Sequence, residues 1–135
     1  LGAALITPFR SCGSLDGPAI RRLARRQIEA GVHSFALEEL RAHPVRFQGR
    51  LVKVRGAYVG GWEMSALHPG PPVRDPWAVD GIWVEGIAPV TLPTEQAFEM
   101  TGIVSAARPD AVSGKGHLGQ WPAELCVSSV RRLQE

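Results

Sequence analysis

Gly49-Arg50-Leu51-Val52-Lys53-Val54-Arg55-Gly56-Ala57-Tyr58-Val59-Gly60-Gly61 is the stretch whose reading decides the fold. Its period is two rather than 3.6, so Val52, Val54 and Gly56 face one way while Lys53 and Arg55 face the other. That is a β-strand with one buried side. Gly56, and then Gly60-Gly61, mark a bend or bulge where a strongly curved strand changes direction. Strands of this kind close small barrels.

Working outward toward the C-terminus, four further strand patterns follow. Residues 62–67 read as a second strand, and residues 68–80 as a Pro/Gly-rich loop too broken for regular structure. Residues 81–85 form a third, with Ile82 and Val84 inward. A short turn around Thr94-Glu95-Gln96 precedes a fourth strand over 98–106, a polar loop over 108–119 precedes a fifth over 121–133, and no internal repeat interrupts the series. Five strands, a bend in the first, and a wide insertion between the second and third are the ingredients of a small OB-type Greek-key barrel. Residues 37–133 also resemble small bacterial OB-fold proteins. That resemblance rests on Leu37, Leu40, Pro44, the Gly49 to Gly56 core, Gly81-Ile82-Trp83-Val84 and Phe98 to Val104. These are fold-forming residues, so the resemblance implies the barrel and says little of a ligand.

Toward the N-terminus the pattern is different. Residues 1–6 could form a short apolar strand, broken by Pro8 and Gly13. Asp16 is a good N-cap, Pro18 sits in the first turn, and Ile20, Leu23, Ala24, Gln27 and Ile28 recur at helical spacing up to Gly31. Leu5-Ile6-Thr7-Pro8-Phe9, Cys12-Gly13-Ser14-Leu15-Asp16 and the Ala30-Gly31-Val32 ending resemble the first strand and helix of the dihydrodipicolinate synthase/N-acetylneuraminate lyase family. Full membership would imply a (β/α)8 barrel, which takes about 250 residues against the 135 present. The family's chemistry also implies a Schiff-base lysine, and Lys53 and Lys115 lie in no stretch resembling its lysine strand. The family's Gly-Thr-Thr-Gly-Glu loop is replaced by Phe35 to Leu40. A chain mainly β with N-terminal helices is therefore expected. Residues 1–33 form an aldolase-like βα fragment, 34–44 a short helix and linker, and 45–135 an OB-type β-barrel. In the linker Ser34 is expected to cap a helix with Leu37 and Leu40 on its apolar side, ended by Pro44.

Composition fits an ordinary soluble domain, with 44% hydrophobic and 21% charged residues and a net charge of +2. That charge does not by itself imply a polyanion, although the basic residues are nearly all arginine, which suits bidentate contact with phosphate or carboxylate. No apolar run approaches a membrane span. Cys12 and Cys126 could pair only if the fold brings the two ends together, so cysteine usage leaves the compartment open. No secretory signal is read, which makes the cytoplasm the default, while a leucine at residue 1 leaves a removed leader open.

The ligand-binding candidates are Trp62, Trp83, Lys53, Arg55 and Arg108. OB barrels bind on the face of their second and third strands. If Ile82 and Val84 point inward, Trp83 points outward, where an indole beside Lys53 or Arg55 could stack a base or sugar while the cation meets a phosphate. The competing reading packs Trp83 under the 68–80 loop, against Trp77. Arg21, Arg22, Arg25 and Arg26 read as a solvated helix face. His33, His43, His68 and His117 lack the close pair of a metal site, and Glu38 and Glu39 point apart on their helix. Ser11, Ser14, Ser128 and Ser129 lack a nucleophile elbow. No catalytic residue, metal or cofactor is therefore expected. Two functions remain: a noncatalytic module binding single-stranded nucleic acid or another extended polar ligand, or a structural, protein-interaction domain. In the second, residues 1–33 pair with a copy of the chain or with a genuine aldolase. An inactive lyase fragment is the residual alternative.

Overall fold

The computed structural model describes residues 31–61, 63–86, 92–107 and 114–133. Their elements are β1 (Ser34–Phe35), α1 (Leu37–Ala42), a 3-10 turn (Pro44–Phe47), β2 (Leu51–Gly61), β3 (Met64–His68), β4 (Ile82–Glu85), β5 (Gln96–Ala106), a second 3-10 turn (His117–Gly119) and β6 (Ala123–Arg132). The expected helix over 16–30, the βα fragment of which it is part, Trp62 and Arg108 lie outside the described residues.

β2 decides the architecture, as its alternation suggests. Val52 and Val54 are buried on one side, while Lys53 is half-buried and Arg55 exposed on the other. The strand is long enough to serve two neighbours. Residues 51–58 pair antiparallel with β5, and residues 57–61 pair antiparallel with β3. Gly56 sits just before the changeover, where an added Cβ would come within 2.7 Å of the His68 carbonyl oxygen and of Leu67 Cγ. From β3 the sheet continues antiparallel to β4, parallel from β4 to β6, and antiparallel from β6 to β5, which returns to β2. The result is a closed five-stranded β-barrel. Closure removes the open sheet edges that would otherwise invite pairing with other chains.

The interior is filled by residues at alternate positions of every strand, including Tyr58, Leu67, Ile82, Phe98, Met100 and Leu125. Burying side chains of this size stabilises by about 1.5–3 kcal/mol each. Tyr58 brings a polar tip inside and finds a partner for it. Ser65 Oγ donates to the Val84 carbonyl oxygen at 2.9 Å, so the Tyr58 hydroxyl, 3.1 Å away, donates to Ser65 Oγ. Burial pushes the Tyr58 hydroxyl above its ordinary pKa, and the Glu85 carboxylate adds to the rise. Leu37, Leu40 and Phe47 join the same core from α1 and the first turn.

Two local expectations need correction. Ser34 is no helix cap, because β1 pairs parallel with β2 through Ser34↔Lys53 and Phe35↔Val54, and α1 begins after Ala36 without a side-chain cap. The backbone here is claimed by the sheet, since Lys53 N–H donates to the His33 carbonyl oxygen at 3.0 Å. Pro44 does not simply end the helix; it opens the 3-10 turn that brings Phe47 into the core.

Where β5 meets β6, a register shift between Thr101 and Gly102 bends the pair. A Cβ at Gly102 would lie 2.3 Å from the Cys126 carbonyl oxygen and 2.8 Å from its carbon. That obstacle is backbone and has little freedom to yield. Gly102→Ala is therefore expected to lower stability by roughly 1–3 kcal/mol through forced displacement. Urea unfolding at unchanged slope would show it. Cys126 itself is buried and disulfide-bonded, and Cys12 lies outside the described residues.

Candidate binding groove

Beside the outward half of β2 lies a groove of about 310 Å3, lined by Ser34 to Glu38, Lys53, Arg55, Pro69 and Gly70. Its floor follows from strand alternation. Lys53 and Arg55 are two residues apart on β2, so they leave the same face; Ser34 joins them by pairing with Lys53, while Phe35 pairs with Val54 and packs its ring on the core side. Lys53 makes no ion pair among the described residues. Phe35 meets Phe47 edge-on at 4.8 Å, and the Arg50 guanidinium stands 5.2 Å from the Phe35 ring centroid and 5.4 Å from that of Phe47.

Arg55 is held from the side. Its side chain is 64% exposed, yet its Nε donates to Glu99 Oε2 at 2.8 Å. Glu99 is buried, and its other oxygen is ion-paired with Arg131 Nη2 at 2.9 Å. The three residues are cross-strand neighbours, through Arg55↔Glu99 and Glu99↔Arg131. Lys53, Arg55 and Arg131 face Glu99 and the rim residue Glu38, leaving an excess of one positive charge. Chemically the groove offers an ammonium and the outer edge of a guanidinium. That combination suits a phosphate or carboxylate.

The face on which the sequence reading places Trp83 is occupied by the chain itself. Trp83 does leave the barrel interior, but it is only 8% exposed. It packs with Trp121, Val59, Met64 and Ala66 in a second apolar cluster, onto which Val73 and Val79 fold from the 69–81 loop. Trp121 stands 5.9 Å from the Trp83 ring, and the backbone at Gly116 runs over the indole, where a Cβ would come within 2.5 Å. Gly116 has φ +69, which suits this close approach. Of the two readings of Trp83, the structure shows not the exposed indole but the covered one. It packs under the loop, though against its two valines, while Trp77 remains 64% exposed.

The loops are tied down by polar contacts at their margins. His68 is fully buried, its Nδ1 bonds Asp80 Oδ1 at 2.7 Å, and its ring meets Trp121 edge-on at 5.6 Å. Arg41 of α1 donates to the Val79 carbonyl oxygen, and His117 Nε2 stands 3.7 Å from Glu63 Oε2. Trp83 Nε1 donates to Glu85 Oε1 at 2.7 Å. Across the parallel pair, Glu124 sits opposite Trp83.

Burial pushes the Glu124 carboxyl above its usual range, the Glu85 carboxylate pushes it further, and Lys115 opposes them. A carboxyl that holds its proton more tightly when folded stabilises fully below the unfolded carboxylate pKa, and that contribution is lost as pH rises through the folded value. Glu124→Gln should therefore raise the thermal midpoint at neutral pH and leave it unchanged in acid. Melting curves across that interval would show the two proteins diverging as pH rises.

Of the five candidate residues, the structure brings Lys53 and Arg55 together in the groove, places Trp83 in the covered cluster, and leaves Trp62 and Arg108 outside the described residues. Phe35, Glu99 and Arg131 were not singled out from the sequence. Glu99 does carry a signal, a charge between Phe98 and Met100 at an outward position of a strand, but its partners depend on register. Among the described residues no group of three or more His, Cys, Asp or Glu could hold a metal ion, and no helix is long and apolar enough to cross a membrane. The chain matches no protein-family model, no curated protein and no solved structure.

Proposed function

We propose that the chain is a noncatalytic binding module on an OB-type barrel, and that its ligand is an extended anion, single-stranded nucleic acid being the class the groove suits. The strand order supports the OB reading: first, second, third, fifth and fourth in sequence, returning to the first, with the third and fifth parallel. One observation carries the functional reading, the placing of Lys53 and Arg55 side by side in one groove. Cations that track a phosphate backbone supply the sequence-independent part of single-strand binding. The face of the second and third strands is closed by Trp83 and Trp121, so the ligand is assigned to the β2 groove.

The test is fluorescence anisotropy of a labelled mixed-sequence single strand at low and moderate salt. Saturable binding that weakens steeply with salt is expected, and Lys53→Gln should reduce the logarithmic salt slope by about 1. Absence of binding at tens of micromolar, or a slope unmoved by Lys53→Gln, would remove this reading. A protein-interaction role is the second reading, favoured by the exposure of Trp77 and Leu118 at 64% and 73%.

A further inference from the structure

We propose that Glu99 is a positioning residue, which turns Arg55 so that its outer edge meets a phosphate of the ligand as a fixed fork; this rests on the groove reading above. Glu99 Oε2 accepts from Arg55 Nε, the inner edge of the guanidinium, and leaves the Nη end directed away from the clamp. Arg131 Nη2 is ion-paired with Glu99 Oε1, so the carboxylate cannot swing off Arg55 without also leaving a second cation. Glu99 is 7% exposed at its side chain while Arg55 is 64% exposed, so a buried anchor carries a reaching donor. Arg131 Nε is buried with no hydrogen-bond partner, so among the described residues Glu99 is the carboxylate that orients this arginine too.

Stability alone is a poor reason for this arrangement. A buried carboxylate between guanidinium groups loses hydration about as fast as it gains attraction, and apolar replacements are often as stable. Orientation is a better one. An unrestrained arginine surrenders rotamer freedom when it grips an anion, and one already held in place surrenders less. Two parallel N–H donors match two phosphate oxygens only when the plane of the guanidinium is set.

The consequence has a sign opposite to simple electrostatics. Glu99→Gln removes a negative charge from the groove wall, so diffuse attraction alone predicts tighter binding of a polyanion. Positioning predicts weaker binding, by about three- to tenfold, the factor that corresponds to one side chain immobilised at binding instead of beforehand.

The experiment is a double-mutant cycle on the full chain. Wild type, Glu99→Gln, Arg55→Lys and the double variant are titrated with the labelled single strand, with circular dichroism confirming the fold of each. The expected result is weaker binding for Glu99→Gln against wild type, and no weakening for the same change on the Arg55→Lys background, where no fork remains to orient. Equal or tighter binding by Glu99→Gln would overturn the proposal, as would equal weakening on both backgrounds, which marks a structural role. If wild type binds no strand at all, the groove reading fails and takes this inference with it. If wild type binds but Glu99→Gln tightens it, the groove reading survives alone.

Discussion

The double variant Lys53→Glu, Arg55→Glu should lose single-strand binding by about a hundredfold or more at moderate salt, and should also melt at a lower temperature because the new carboxylate at residue 55 faces buried Glu99. A hydrogen bond from a charged donor contributes about 1.5 kcal/mol or more, roughly tenfold in affinity, and this change replaces two such donors with repelling carboxylates. The cost to the fold falls on the Arg55 change. Arg55 is exposed and Lys53 half-buried, on the side of β2 away from the core. Arg55 is the exposed end of a pair whose other end, Glu99, is buried, so its loss leaves that carboxylate with Arg131 alone and a second carboxylate opposite it. Anisotropy titration with parallel thermal melts separates the two effects. Binding retained within a few-fold of wild type would place the ligand elsewhere.

Trp83→Ala should show the reverse pattern, a stability loss of roughly 3–5 kcal/mol with little direct effect on the groove. The indole is a central member of the outer apolar cluster, in contact with Trp121 and roofed by Val73, Val79 and the backbone at Gly116. Its removal also leaves Glu85 without the Nε1 donor. For a domain of this size the thermal midpoint should fall by on the order of 10–20 °C. Measured well below that midpoint, single-strand affinity should stay near wild type. A variant that melts normally but fails to bind would mean that Trp83 stacks on the ligand after all.

Much of the barrel was legible because its strands alternate strictly. Val52 and Val54 in β2, and Ile82 and Val84 in β4, carry the inward side openly, and Pro and Gly mark the 69–81 loop between β3 and β4. The direction of Trp83 followed from the same alternation, but its burial did not. Whether an outward indole is bare or covered depends on where Val73, Val79 and Gly116 return, and no local pattern records that. The site was half legible for a related reason. Lys53 and Arg55 announce themselves as charges on one strand face, whereas the link from Arg55 through Glu99 to Arg131 spans three strands, whose registers no local pattern records. Ser34 shows a competition between levels: its side chain suits a helix cap, yet its backbone is taken by β2.

The most direct measurement is a titration of isotope-labelled protein with an unlabelled single strand, followed by backbone amide chemical shifts. The account predicts saturable shifts clustered at Phe35, Lys53 and Arg55, smaller ones at Glu99 and Arg131, and quiet amides at Ala66 and Trp83. Shifts centred on β3 and β4 instead, or none at saturating strand, would contradict it.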